Sequence, residues 1–242
     1  MVLFPVILSL VAIVLPSFPA NGKKVFPGLS TTLPKVQEEI VNKHNELRRA
    51  VSPKASDMLK MEWYAAAAEK AQDWANHCKY SHSEKEFRKP NVSCGENLLR
   101  SNIPLSWSSA IQMWYSESED FIFNVGPKTP TAVIGHYTQV VWYSTFRVGC
   151  GIAYCPNFSL KYFMVCHYCP GGNFMERQYT PYKQGAPCAS CPGHCEDGLC
   201  TNACDYQDRY SNCAEMKQTL TCNFTVVKKY CKATCNCEDK IF

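Results

Sequence analysis

The chain has 242 residues, of which 46% are apolar, so it is long enough and apolar enough to bury a core. Its formal net charge of +4 is too small to indicate a nucleic-acid-binding protein or a polybasic membrane anchor. Its sixteen cysteines are an even number, so in an oxidising compartment they would form eight disulfides and leave no free thiol.

The first predicted element is a secretory signal peptide at residues 1–22. An uncharged apolar run over residues 2–15 ends at Pro16, and Ala20-Asn21-Gly22 follows as a segment of the cleavage-site type. The run is short for a bilayer span, so we expect no membrane span, with an N-terminal anchor as the alternative. We therefore expect a protein that is secreted to the extracellular space or stored in a secretory granule.

Three N-glycosylation sequons fit the same compartment, since this acceptor motif is used on the surface of secreted proteins. They begin at Asn91, Asn157 and Asn223. The sequence therefore predicts a glycoprotein with many disulfides.

In chain order, the residue patterns predict helices and then strands before residue 187. Apolar residues recur at helical spacing over three ranges, 36–47, 67–78 and 110–121. Aromatic and β-branched residues predict strands over three later ranges, 136–142, 148–153 and 162–168. Elements in this order indicate a layered α/β domain with a mostly antiparallel sheet.

Residues 188–242 differ from the preceding part because they hold ten of the sixteen cysteines and few large apolar residues. A segment of this kind depends on disulfides for its stability. We therefore expect a boundary near Gly185-Ala186-Pro187, where glycine and proline mark a break. Short helices are predicted beyond it, at 212–219 and 226–232.

Four polar side chains stand out as a candidate site: His82, Glu96, Glu117 and His136. Two imidazoles and two carboxylates in one cleft suit a divalent metal, with histidine nitrogens as ligands and carboxylates as ligands or supports. The same set suits proton transfer. The alternative is that each residue makes only a local hydrogen bond.

Other chemistry receives less support from the sequence. Two CxxC pairs, Cys166/Cys169 and Cys188/Cys191, have the spacing of a zinc ribbon, but a secreted chain favours disulfides at these positions. Ser83 and Ser116 flank the expected cleft, yet the chain has no Gly-x-Ser-x-Gly elbow. It also has no His-Glu-x-x-His helix.

Several motifs resemble those of one known family, the cysteine-rich secretory proteins of the CAP superfamily. The matching segments are GHYTQVVW at 135–142, FMVCHYCPGGNF at 163–174, HNELR at 44–48 and CGENL at 94–98. The ten-cysteine tail narrows the resemblance to the mammalian members. It implies a three-layer α-β-α sandwich over 35–180, a disulfide-knotted hinge over 186–203, and a mainly helical module over 204–237. That module is similar to sea-anemone potassium-channel toxins (ShKT-like).

The resemblance also implies disulfide partners and a metal site, which the sequence alone leaves open. The implied pairs are Cys78–Cys155, Cys94–Cys169, Cys150–Cys166, Cys188–Cys195, Cys191–Cys200, Cys204–Cys237, Cys213–Cys231 and Cys222–Cys235. Related proteins bind zinc, so the resemblance implies His82 and His136 as ligands, supported by Glu96 and Glu117, with no organic cofactor. It assigns a structural role to His44.

The sequence leaves three functions open. The resemblance favours a non-enzymatic regulator whose tail binds an ion channel or cell-surface receptor, including roles at the sperm surface, in fertilisation and in innate immunity. Lys228, Lys229 and Tyr230 would form the partner-binding group. The second function is a zinc-dependent hydrolase or protease at the cleft. The third is a secreted carrier or decoy for a lipid or a protein partner.

Overall fold

The computed structural model of the chain describes residues 28–242, and the predicted signal peptide lies outside these residues. The helices of this part are α1 (Pro34–Ala50), α2 (Ala65–Asn76), α3 (Trp107–Ser116), α4 (Gly135–Val140), α5 (Cys213–Leu220), α6 (Thr225–Tyr230) and α7 (Lys232–Asn236). The strands are β1 (Glu62–Trp63), β2 (Gly95–Ser101), β3 (Phe121–Ile122), β4 (Gly126–Pro127), β5 (Arg147–Tyr154), β6 (Tyr162–Cys169), β7 (Cys195–Glu196) and β8 (Leu199–Cys200). None of the helices within residues 28–242 is long and apolar enough to cross a bilayer.

The central sheet has four strands in the order β1-β5-β6-β2. The β5/β6 and β6/β2 pairs are antiparallel, and the short β1 runs parallel to β5. In this register Glu96 on β2 lies opposite His167 on β6. Strand β2 is therefore an edge strand, and the candidate site begins at its first residues.

Helices cover both faces of this sheet, which confirms the three-layer α-β-α fold. Side chains alternate between the two faces of a strand, and α2 packs against the face formed by β5 and β6. The opposite face carries the main core, to which α1, α3 and α4 contribute Ile40, Trp107 and Val140. We refer to residues 28–187 as the platform and to residues 188–242 as the tail.

The predicted strand at 136–142 is wrong, because Gly135–Val140 forms the helix α4. The Glu117 carboxylate accepts hydrogen bonds from the backbone N–H groups of His136 and Tyr137 at 2.8 and 3.0 Å. These are two of the amides that a helix leaves unpaired in its first turn. A run of buried residues from Tyr137 to Val140 gives no alternation that would distinguish a buried helix from a strand.

Two other predicted helices end earlier than expected. Helix α3 ends at Ser116, so Glu117 begins a short 3-10 turn instead of lying on the helix. The predicted helix at 226–232 is broken at Cys231, which separates α6 from α7. The ends of these helices thus differ from the predicted ones at a polar residue, Glu117, and at a disulfide-bonded residue, Cys231.

Eight disulfides connect the sixteen cysteines, and their partners are the ones that the family resemblance implies. The platform contains Cys78–Cys155, Cys94–Cys169 and Cys150–Cys166. The tail contains Cys188–Cys195, Cys191–Cys200, Cys204–Cys237, Cys213–Cys231 and Cys222–Cys235. All four cysteines of the two CxxC pairs are therefore oxidised, and they form no zinc ribbon.

The segment expected to be a hinge packs closely on the platform. The Cys200 N–H donates to the Met58 carbonyl, and the Lys60 N–H donates to the Cys200 carbonyl, each at 2.8 Å. Ile241, near the end of the tail, is buried in a cluster with Leu59 and Phe146 of the platform. Both ends of the tail are therefore anchored on the platform.

Candidate functional site

The four cleft residues come from four different segments that meet at the edge strand β2. His82 follows α2, and Glu96 is the second residue of β2. Glu117 starts the turn after α3, and His136 is the second residue of α4. The structure arranges them as two histidine–carboxylate pairs.

The first pair joins an exposed imidazole to a buried carboxylate. The Nδ1 of His82 lies 2.8 Å from Oε1 of Glu96, and their side chains are 61% and 0% exposed. Glu96 also accepts hydrogen bonds from the N–H and the hydroxyl of Ser83, at 2.9 and 2.7 Å. The His82 ring is thus held from the protein side while its other edge faces solvent.

The Glu96 carboxylate has a further partner that the sequence did not identify. The Nε2 of His167, on the neighbouring strand β6, lies 3.0 Å from Oε2 of Glu96, and both side chains are fully buried. Burial raises the pKa of the Glu96 carboxyl, but hydrogen bonds from His167, His82 and Ser83 outweigh it and hold the pKa well below its usual range. The carboxylate is therefore ionised and acts only as an acceptor.

The second pair is built on the start of α4. The Nδ1 of His136 lies 2.5 Å from Oε1 of Glu117, while Oε2 accepts the two backbone N–H groups described above. The His136 ring stacks on Trp114 of α3, with 6.5 Å between centroids and 17° between planes. Packing and hydrogen bonds therefore fix this imidazole as well.

A single side chain on β2 connects the two pairs. Asn97 follows Glu96 and points to the opposite face of the sheet, where its amide donates to the His136 carbonyl at 3.1 Å. The two pairs therefore approach the same edge strand from its two faces.

The donor atoms of the cleft decide whether a metal would fit there. Within residues 28–242, one group of three or more histidine, cysteine or acidic side chains has all its ligand atoms within 4.8 Å, namely Cys188, Cys191 and Cys200. These three are disulfide-bonded, and the four cleft residues, which lie within the same described range, form no such compact group. Even so, each Nδ1 in the cleft is held by a carboxylate, which leaves two Nε2 atoms as donors. This is the carboxylate–histidine arrangement found at zinc sites, so the donor chemistry fits zinc.

The candidate nucleophiles are not activated by an imidazole. The Ser83 hydroxyl donates to Glu96, and the Ser116 hydroxyl donates to the Met113 carbonyl within its own helix. A nucleophile–base pair would instead direct the serine hydroxyl to a histidine nitrogen. His44 lies apart from the cleft, buried between the Ile40 carbonyl and the Tyr168 hydroxyl.

The tail presents a second candidate surface at the end of α6. Lys228 and Lys229 are exposed, and the Tyr230 ring is half-buried beside them. The Nζ of Lys229 lies 5.1 Å from the Tyr230 centroid, and the guanidinium of Arg209 lies 5.4 Å from it. The Tyr210 ring packs edge-on against Tyr230 at 5.4 Å. We call these five residues the basic-aromatic cluster. The sequence pattern missed Arg209 and Tyr210 because only folding brings residues 209–210 beside α6.

The three sequon asparagines are all exposed. Asn91 donates from its side-chain amide to the Tyr64 hydroxyl at 3.0 Å. Asn157 lies in the turn between β5 and β6, and Asn223 lies between α5 and α6. Each side chain is therefore on the surface, as glycosylation requires.

Comparison with known proteins finds relatives of both parts of the chain. Residues 41–168 match the model of the family described as "Cysteine-rich secretory protein family", and residues 188–242 match the model described as "Crisp". The chain is 62% identical over 245 residues to human "Cysteine-rich secretory protein 3", covering 100% of both chains. It is 51% identical over 217 residues to "Cysteine-rich venom protein helothermine" of Heloderma horridum horridum, covering 89% of each.

A solved structure whose name includes zinc shares the platform fold. "Crystal structure of NaASP2 with Zn2+" matches with a TM-score of 0.60 and 27% identity, covering 76% of this chain and 99% of that one. The fold of the platform, the pairing of the eight disulfides and the full-length relatives all indicate the same family. The chain belongs to the cysteine-rich secretory protein family.

Proposed function

We propose that this protein is a secreted, non-enzymatic regulator that binds an ion channel or a cell-surface receptor through its tail. The observation that carries the proposal is the basic-aromatic cluster, which five residues form on a module held by three disulfides. A module of this kind loses little conformational entropy on binding, because its surface is already ordered. The similarity to a venom protein supports an extracellular target, and a role at the sperm surface in reproduction is the setting that we favour.

The test is a recording of calcium-permeable channel currents in the presence of the full-length protein. We expect Lys228→Ala/Lys229→Ala to lose most of the change in current, since the variant removes two exposed cations from the cluster. The matched control is Lys217→Ala/Lys240→Ala, which removes the same charge elsewhere in the tail and should retain the effect. Equal loss in both double variants would show that net charge, and not this surface, is responsible.

We also propose that the cleft binds zinc through the Nε2 atoms of His82 and His136, with Glu96 and Glu117 as supports. The donor chemistry described above supports this, as does the zinc named for the NaASP2 structure. Bound zinc would supply a structural cross-link between the segment after α2 and the start of α4. The hydrogen bond of Ser83 to a carboxylate supports this role over that of a hydrolase.

Calorimetric titration with zinc tests the metal proposal. We expect His82→Ala/His136→Ala to abolish the binding heat, because the variant removes both imidazole ligands. The control is His77→Ala/His194→Ala, which removes two histidines that lie outside the cleft and should bind as the wild type does. Unchanged zinc binding by the cleft variant would refute the assignment.

We propose secretion and glycosylation as the setting of this activity. The same proposal includes a signal peptide at 1–22 and N-linked sugar at Asn91, Asn157 or Asn223. It also includes the domain limits 35–180, 186–203 and 204–237. The exposure of the three asparagines and the absence of free cysteines within residues 28–242 support it. Mass spectrometry of the secreted protein, before and after removal of N-glycans, checks the mature N-terminus and each acceptor.

A further inference from the structure

His167 is a buried titratable residue to which the proposed function gives no role. It lies in the middle of β6, opposite Glu96 on β2 and Gly149 on β5, and its side chain is fully buried. A histidine in a strand interior usually satisfies both ring nitrogens. Here Nδ1 of His167 has no hydrogen-bond partner among residues 28–242, so the ring makes one polar contact, through Nε2 to Glu96.

The Glu96 carboxylate accepts four hydrogen bonds, two on each oxygen. Oε1 accepts from Nδ1 of His82 and from the Ser83 N–H. Oε2 accepts from the Ser83 hydroxyl and from Nε2 of His167. An ionised carboxylate offers about four lone-pair positions, so this arrangement leaves none free. The direction of each bond follows, because every partner must donate.

His167 is the one donor to Glu96 that belongs to the central sheet. The other two residues, His82 and Ser83, lie together in the segment after α2, so they would move with that segment. The Nε2 of His167 must carry a proton, because an ionised carboxylate oxygen can only accept a hydrogen bond. A donor inside a paired strand can therefore hold Oε2 of Glu96 independently of the segment that carries His82.

We propose that His167 is a positioning residue for the zinc cleft. Its Nε2–H holds Oε2 of Glu96, so that Oε1 stays directed at Nδ1 of His82 and the Nε2 of His82 is presented outward. This inference rests on the proposed zinc binding by His82, but it concerns an orientation that exists without metal. Residues that orient a ligand in this way typically change metal affinity by about 10- to 100-fold.

Three full-length variants separate positioning from simple loss of packing. His167→Leu fills the space but removes the donor. His167→Gln keeps a side-chain N–H that can reach Glu96. Val165→Ala is the matched control, since Val165 is fully buried on the same face of β6 and lies opposite Leu98, whereas His167 lies opposite Glu96.

The first measurement is zinc affinity by competition with a chromophoric chelator. We expect His167→Leu to weaken zinc by about 10- to 100-fold, while His167→Gln and Val165→Ala stay near the wild type. The second measurement is the nitrogen NMR spectrum of the His82 ring in metal-free protein at about pH 8.5, where an ordinary imidazole is neutral. We expect the Nδ1–H form in the wild type, His167→Gln and Val165→Ala, and a mixture of the two neutral forms in His167→Leu.

The two measurements distinguish failure of the metal proposal from failure of the positioning proposal. If the wild type binds no zinc, the proposed metal function is wrong, and the NMR spectra alone decide whether His167 positions His82. If His167→Leu keeps the Nδ1–H form of His82, or if Val165→Ala disturbs it equally, the positioning role is overturned.

Discussion

Two buried histidines of the platform depend on different neighbours. His167 is paired with a carboxylate, whereas His44 lies between a carbonyl and a tyrosine hydroxyl, with Arg48 one helical turn away. Burial lowers the pKa of His44 to about 4, with a smaller contribution from the charge of Arg48. A neutral imidazole in the core therefore becomes a source of acid sensitivity.

The pH dependence of stability tests this residue. Between pH 6.5 and 4 the unfolded chain binds a proton at His44 that the folded protein excludes, so stability rises with pH across that window. The cost at the acidic end is about 3 kcal/mol. We expect His44→Gln to show a shallower fall in the free energy of unfolding on acidification, measured by guanidinium titration. His77→Gln, at an exposed position, should keep the wild-type slope, and equal slopes in all three proteins would contradict the account.

The residue types and the family resemblance together predicted His82, Glu96, Glu117 and His136 as a candidate site. The structure arranges these four residues as two histidine–carboxylate pairs. His167 and Asn97 were missed for a physical reason. Their contacts depend on the β2/β6 register and on which face of β2 each side chain occupies. Neither property can be obtained from spacing along the chain when β2 itself is not predicted.

At the scale of elements, α2 lies unusually close to the central sheet. A Cβ atom built on Gly151 would lie 2.3 Å from the Cα of Gln72, and one built on Gly149 would lie 2.2 Å from the backbone N of Ala68. Backbone atoms of a helix cannot yield as a flexible side chain can. The two glycines of β5 therefore set the distance between α2 and the sheet, and with it the position of the segment that carries His82.

Substitution at this contact tests the arrangement. We expect Gly151→Ala to lower the free energy of unfolding by about 1–3 kcal/mol, because the added methyl group forces α2 away from β5. Chemical denaturation with the disulfides intact measures the change. Gly135→Ala is the control, since its Cβ would meet nothing closer than the Asn173 amide nitrogen at 3.9 Å. A Gly151→Ala variant as stable as the control would show that the helix moves freely.

The helices α1 and α2 follow their sequence patterns because each has one regular buried face. The strands β5 and β6 do so because they are buried on both faces and rich in aromatic and β-branched residues. The segment at 136–142 does not, because its conformation is fixed from outside by Glu117 and not by its own pattern. Buried aromatic and β-branched residues are compatible with either conformation when the segment is this short. The Glu117 carboxylate, distant in sequence, thus stabilises a helix where the local sequence is compatible with either a helix or a strand.

For the whole molecule, the tail is attached to the platform by contacts of several kinds. Arg147 on β5 reaches both Glu62 of the platform and Asp205 of the tail, each at 2.9 Å. The Tyr143 hydroxyl donates to the Phe242 carbonyl at 2.7 Å, and Lys60 forms an ion pair with Glu196. Together with the buried Ile241, these contacts hold the tail against the platform. The two ends of the module that carries the basic-aromatic cluster are therefore attached to the platform.

The division of roles between cleft and tail is the central claim, and one measurement tests it directly. Currents of the same calcium-permeable channel are recorded with two full-length variants, His82→Ala/His136→Ala and Lys228→Ala/Lys229→Ala, beside the wild type. We predict that the cleft variant retains the effect on the current, since its tail is intact, and that the tail variant loses it. An effect that disappears with the cleft variant and survives in the tail variant would contradict the account.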